Sequence, residues 1–202
     1  MHKIKPAAVR TGKVTARIIN HAGALTNPRY RRYWQQPRQV THEMLKPGDI
    51  FLSRSPVSIK SATGSFLRGG PFTHSFIYIG EGRCVDTREG GVKINALNVL
   101  LGAYPSSFVF RADLTDAQRN QIVNGAIGHV GKSKFNAKVA RSVLRREAIG
   151  IPLKKEFDGV ICSSIVARIY GGAGVELIPK KHPDTYSPNS FIHSKKLTCI
   201  NG

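Results

Sequence analysis

The sequence predicts an α+β domain in which an antiparallel sheet packs with helices, and two observations carry that prediction. Between residues 44 and 113 short apolar runs are punctuated by glycine and proline, whereas after residue 114 apolar residues recur at helical spacing. Strands gathered in one part of a chain and helices in another make an α+β arrangement rather than an alternating α/β one. At 202 residues with 41% hydrophobic content the chain can bury one sizeable core, which excludes disorder over its whole length.

The strands follow in order. "LKPGDIFLSRS" turns at Pro47-Gly48 and enters a strand over Ile50–Ser53. "GPFTHSFIYIGEGRCVDT", residues 70–87, alternates as a hairpin: a strand over Ser75–Ile79, a turn at Gly80–Gly82 and a returning strand over Arg83–Asp86. "GGVKINAL" and "SFVFRAD" supply two further strands of a meander. The first helix opens at "LTDAQRNQIVNGAIGHVG", where Thr115 is the N-cap and Gln118 completes a capping box ahead of Ile122, Ala126, Ile127 and Val130. A second helix begins near Cys162 in "FDGVICSSIVARIYGG" and stops at Gly171-Gly172.

Charge divides the chain more sharply than hydropathy. Thirty-one Lys and Arg against 12 Asp and Glu give a formal net charge of +19, a field that favours nucleic acid, anionic lipid or an anionic envelope polymer. Residues 1–40 hold nine basic and no acidic residues, so residues 1–43 read as a basic extension and 44–202 as the domain. Within the extension, "NPRYRRYWQQPRQ" interleaves arginines with Tyr30, Tyr33 and Trp34. Such a tract suits nucleic-acid or virion-protein contact, through phosphate pairing and base stacking, and equally suits a segment that wraps its own domain. No apolar run reaches the length of a signal peptide or the about 18 residues of a membrane span, so a soluble product made in the cytoplasm is expected.

Polar groups on the hairpin suggest chemistry. With alternating side chains His74, Phe76 and Tyr78 share a face, as do Cys84 and Asp86, and a tight hairpin sets residue 74 opposite roughly residue 86. Imidazole and carboxylate then form the base-and-orienter half of a triad, or a cross-strand pair of structural use alone. Cys162 stands at a helix start, where free N–H groups and the macrodipole favour a thiolate and can hold an oxyanion. A lone cysteine there is more often a small buried residue, but cysteine, histidine and aspartate together are harder to dismiss. Cys84 reads as a core residue and Cys199 as incidental, and the odd count without paired spacing argues for reduced thiols.

The order "GDIFLSRS … TGSFLRGGPFTHSFIYIGEG … CVDT … GV", then "VICSSIVARIYGGAGVEL" and "YSPNSF", resembles the circularly permuted branch of the NlpC-type papain-like hydrolase superfamily. That branch includes YiiX-like proteins and relatives of lecithin:retinol acyltransferase, and the resemblance covers about residues 45–192. It implies a permuted papain-like fold with the catalytic cysteine at a helix N-terminus: Cys162 as nucleophile, His74 as base and Asp86 as the residue that orients the imidazole. Where YiiX-like members tend to read CSE, this chain has Ser163-Ser164, and it lacks the export signal many bacterial members carry.

The resemblance implies hydrolysis of an amide through a thioester, with peptidoglycan stem peptides as the first substrate class and the cationic surface drawing the protein to the envelope. Acyl transfer or thioester hydrolysis on lipid donors is a further option within the branch. From a different class, a non-catalytic virion or nucleic-acid-associated protein on the same fold is the alternative that the basic extension motivates. A phage-encoded product, packaged or released at lysis, fits the charge and the missing signal. No cofactor or metal is called for: His2, His21, His42, His129, His182 and His193 are scattered without ligand spacing.

Overall fold

The computed structural model describes residues 28–54, 70–88, 90–134 and 161–202. Six strands, β1 (Ile50–Arg54), β2 (His74–Gly80), β3 (Arg83–Arg88), β4 (Gly91–Ala96), β5 (Ser106–Ala112) and β6 (Leu197–Cys199), form one sheet in the order β4-β3-β2-β1-β5-β6, every pair antiparallel. Among the described residues three helices accompany it: α1 (Leu97–Ala103), α2 (Asp116–Gly128) and α3 (Cys162–Gly172). The expected strands and helices are thus present, in an α+β arrangement. No helix among the described residues is long and apolar enough to cross a membrane.

Both faces of the sheet are covered, which is why β1 is buried along its whole length. On one side Ile50, Leu52, Ile77 and Val85 pack with Ile122 and Ala126 of α2 and with Ile165, Val166 and Ile169 of α3. On the other, Phe51, Phe76, Tyr78, Cys84 and Val109 meet Leu97 and Leu100 of α1, with Phe51 and Phe76 stacked at 4.7 Å. The capping box at Thr115 and Gln118 forms as the sequence predicts. Ile127, expected on the inner face of α2, is exposed, because a residue five places after Ile122 lies off the face that the spacing of four shares with Ala126.

The β2–β3 turn corrects the hairpin register. Gly80, Glu81 and Gly82 all take positive φ (99°, 50° and 67°), conformations that glycine reaches without strain, and a bulge follows between Tyr78 and Gly80. Gly80 pairs with Arg83, but beyond the bulge Phe76 pairs with Asp86, so residue 74 does not stand opposite residue 86. Continuing that register by two residues carries His74 opposite Arg88. The face is the expected one, since each shift of two preserves it.

The basic extension is in part core. Pro28–Trp34 forms a 3-10 turn whose Tyr33 is only 1% exposed and meets Phe72, Phe108 and Phe110 at ring distances of 5.3, 5.3 and 5.7 Å. Tyr30 is buried too. Buried Arg54 closes this turn by donating from both Nη atoms to the carbonyls of Trp34 and Gln35, each at 2.9 Å. A cation against the carbonyl end of a helical turn is favourable. Tyr30 and Tyr33 are therefore spent on the domain itself and are not available to stack on bases; residues 1–27 lie outside the described residues.

Candidate active site

Three element ends converge at one end of the sheet: β2 begins at His74, β3 ends at Arg88, and α3, packed along β2 and β3, begins at Cys162. The three residues singled out in the sequence are brought together there. His74 Nε2 lies 2.5 Å from Asp86 Oδ1, both groups buried, across the diagonal of the hairpin. That contact leaves Nδ1 as the free ring nitrogen, and the charges of His74 and Cys162 act on each other. The other carboxylate oxygen, Asp86 Oδ2, takes Arg88 Nε at 2.5 Å and Asn95 Nδ2 at 3.5 Å.

The start of α3 is built for an anion. Cys162 occupies the first helical position after the N-cap Ile161, and in the first turn the backbone N–H groups have no partner within the helix. Ser164 reaches back to accept from Ile161 N–H at 3.0 Å, and Ser163 donates its hydroxyl to the Tyr186 carbonyl at 2.6 Å. These contacts account for the Ser163-Ser164 pair: one serine caps the helix, and the other fastens it to the segment at residues 186–191. That segment also sets the entry to β2. Asn189 accepts from Phe72 N–H at 2.8 Å and donates to Phe72 C=O at 3.0 Å, two residues before His74, and a side chain at Gly70 would run into it at 2.5 Å.

Electrostatics couple the three groups. Burial works against charge on His74, but the adjacent Cys162 sulfur and the hydrogen bond to Asp86 outweigh it and raise the imidazole to about 9. Burial likewise raises the Cys162 thiol, yet the His74 charge and hydrogen bonds from His74 and Ser75 bring it below its ordinary range. Asp86 is held below the usual carboxylate range: burial opposes this, and hydrogen bonds and charges from His74 and Arg88 prevail. The shifts run toward a thiolate set against an imidazolium, with the carboxylate behind.

Three participants escaped the sequence reading. The hydroxyl of Ser75 is buried without a hydrogen-bond partner among the described residues, and Ser75 helps to lower the Cys162 thiol. Tyr104 stacks on the His74 ring at 5.0 Å and 24°, and Arg88 sits over the Tyr104 ring at 5.1 Å. Adjacency to His74 was a usable signal for Ser75, and the two-residue spacing from Asp86 along β3 was one for Arg88; for Tyr104 none was local.

The other candidates fall elsewhere. Cys84 is fully buried in the α1 core, its thiol pushed up by burial and then by Asp86, and Cys199 is half-buried with its thiol also raised, first by burial. His129 hydrogen-bonds Ser133, His182 pairs with Asp184, His193 meets Tyr30, and His42 is exposed; His2 and His21 lie outside the described residues. A cavity of about 630 Å³ opens at the opposite end of the sheet, beside Lys46, Arg111 and Arg119, and no cysteine or histidine lines it.

No family model matches the chain, and no curated protein matches it in sequence. A solved structure described as the metalloprotein yiiX from Escherichia coli O157:H7, DUF1105, superposes with a TM-score of 0.56 at 16% identity, covering 78% of this chain and 97% of that one. The likeness establishes a YiiX-like α+β fold. A metal does not fit the residues here: among the described residues no three His, Cys, Asp or Glu side chains are grouped to hold one, and both Asp86 oxygens are already engaged by His74 and Arg88.

Proposed function

We propose that the chain is a cysteine hydrolase with a permuted papain-like arrangement, in which the histidine strand precedes the cysteine helix, and that it cleaves amide bonds in peptidoglycan stem peptides. The observation that carries this reading is an imidazole whose Nε2 is held by a buried carboxylate and whose charge is coupled to the Cys162 sulfur at a helix start. The net charge of +19 supports an anionic envelope polymer as the place of work.

The chemistry follows from those positions. Cys162 Sγ attacks the scissile carbonyl carbon, the new C–S bond displaces the π pair onto oxygen, and N–H groups of the first turn of α3 receive the oxyanion. As the C–N bond breaks, His74 gives its Nδ1 proton to the leaving amine, and a thioester remains. Water then attacks the thioester carbon while His74 takes its proton. Collapse expels the thiolate and restores the imidazolium pair. Asp86 keeps the Nε2–H oriented throughout, so that Nδ1 is the nitrogen that exchanges the proton.

Two measurements test this on the full chain. Intact-protein mass spectrometry after brief iodoacetamide treatment from pH 5 to 9 is expected to show rapid single-site modification at low pH, abolished in Cys162→Ala and slowed in His74→Ala. Purified sacculi are expected to release new amino termini with the wild type and none with Cys162→Ala. Modification of Cys162 no faster than that of Cys199 would sink the poised pair, and intact sacculi alongside a reactive Cys162 would sink the substrate.

A further inference from the structure

We infer that the cavity at the opposite end of the sheet from Cys162 is a binding site for a short zwitterionic peptide, because charges of both signs line it without closing on each other. The inference does not rest on the hydrolase reading above. The cavity holds about 630 Å³, within the range of small-molecule sites. Lys46, Arg111 and Arg119 bring positive charge to its lining, Asp113 and Asp116 bring negative charge, and Leu114 and Ile200 supply apolar wall. Among the described residues Arg111 pairs with Asp49, and no ion pair joins Lys46 or Arg119 to Asp113 or Asp116.

Anchors hold the guanidinium groups in place. Buried Asp49 accepts from Arg111 Nε at 2.8 Å and from Nη2 at 2.6 Å, and the Met44 carbonyl also accepts from Nη2, which leaves Nη1. Arg119 Nη1 donates to the Pro47 carbonyl in the turn before β1, which leaves Nε and Nη2. Gly48 follows at a φ of 94°, and a side chain there would come within 3.3 Å of Leu114 Cδ1 and 3.7 Å of Arg119 Nη1, so the turn is packed against this wall. With Asp49 set against Arg111, Lys46 and Arg119 balance Asp113 and Asp116, and the lining is neutral with its signs kept apart. A simple anion gains from the cations and loses to the carboxylates, whereas a ligand with one charge of each sign meets both. Length narrows the class further. Arg111 and Asp113 lie no more than about 7 Å apart along the backbone, and Asp116 and Arg119 stand one turn of α2 apart, about 5–6 Å between Cβ atoms. An extended dipeptide separates its ammonium from its carboxylate by about 6 Å, a single amino acid by only about 2.5 Å.

Alanyl-alanine, its N-acetyl form and its C-terminal amide test the two ends separately. Binding is read by two-dimensional NMR titration at pH 7 and low salt on the full chain carrying Cys162→Ala, so that no probe is consumed, and the fold of each further variant is checked by its unfolding midpoint. The free dipeptide is expected to bind saturably, and each blocked form at least about tenfold more weakly, one charge-assisted contact having been lost. Arg119→Gln is expected to weaken the free dipeptide and the N-acetyl form and to leave the amide unchanged. Asp116→Asn is expected to weaken the free dipeptide and the amide and to leave the N-acetyl form unchanged. Absence of saturable binding, equal affinity for the free and N-acetyl forms, or binding that both substitutions leave intact would overturn the site. Binding that survives both substitutions but is lost in His74→Ala would overturn it by placing the peptide at Cys162, with the hydrolase reading left standing.

Discussion

Replacing Asp86 by Asn tests the site at its most constrained point, because the carboxylate accepts on both oxygens. Oδ1 takes His74 Nε2 at 2.5 Å and Oδ2 takes Arg88 Nε at 2.5 Å. A carboxamide has one acceptor and one donor end. Arginine only donates, so the amide oxygen must face Arg88 and the NH2 group must face His74. Nε2 is then forced to accept, and the single proton of the neutral ring moves to Nδ1, the position from which a base must take one. The wrong tautomer in a histidine-based triad lowers turnover by about 10⁴. A shift of that order is expected in sacculus hydrolysis by Asp86→Asn. Iodoacetamide alkylation of Cys162 at pH 6.5 is expected to slow by at least about tenfold, the equivalent of one lost pKa unit on the imidazolium.

The same geometry makes a second demand. Removing Arg88 from the Asp86→Asn protein frees the amide to turn its oxygen to His74, so Asp86→Asn/Arg88→Ala is expected to alkylate faster than Asp86→Asn alone, although Arg88→Ala takes away the anchor of Asp86 in the parent. Stopped-flow alkylation under matched folding, checked by unfolding midpoint, reads both effects. Equal rates for Asp86→Asn and wild type, or a double variant no faster than the single one, would refute the assignment of Nε2 to the carboxylate.

Ser75→Ala removes a hydroxyl that stabilises the sulfur anion, so the pH profile of Cys162 alkylation is expected to move upward, and an unchanged profile would separate Ser75 from the sulfur. Hydrolysis is expected to lose its alkaline limb near pH 9, where His74 gives up the proton owed to the leaving amine, while iodoacetamide alkylation, which needs only the thiolate, keeps rising or levels; parallel decline of the two would contradict the pair. Tyr33→Ala is expected to cost about 3–5 kcal/mol, a drop in melting temperature of about 6 to 20 °C, with Tyr33→Phe changing it little; a loss no greater than for exposed Arg31→Ala would detach the basic segment from the core.

How much of this was legible depended on how far the deciding contact lies along the chain. The β2–β3 hairpin and the start of α3 announce themselves locally, through alternation around a Gly-rich turn and a short apolar approach to Cys162, and so His74, Asp86 and Cys162 could be picked out together. The bulge at Tyr78–Gly80 could not, because it depends on how the ladder closes, and it decides that Phe76 rather than His74 stands opposite Asp86. Tyr33 sits among arginines with no period around it, and its partners Phe72, Phe108 and Phe110 arrive from elsewhere in the sequence. Tyr104 is likewise a helix-end residue until the fold lays it on the imidazole.

The clamp of Asn189 on Phe72 spans 117 positions, and it fixes both polar groups of a residue two places ahead of the base. During synthesis the ribosome delivers His74 and Asp86 first, Cys162 much later, and Asn189 after all of them. Thr73 N–H bonds the Ser53 carbonyl of β1 within the sheet, but Phe72 gains both its partners only when the closing segment has docked, the same segment that Ser163 fastens to the start of α3. The last segment to be made is thus the one that joins the start of α3 to the approach to β2, so the two ends of the candidate site are seated by a single late event.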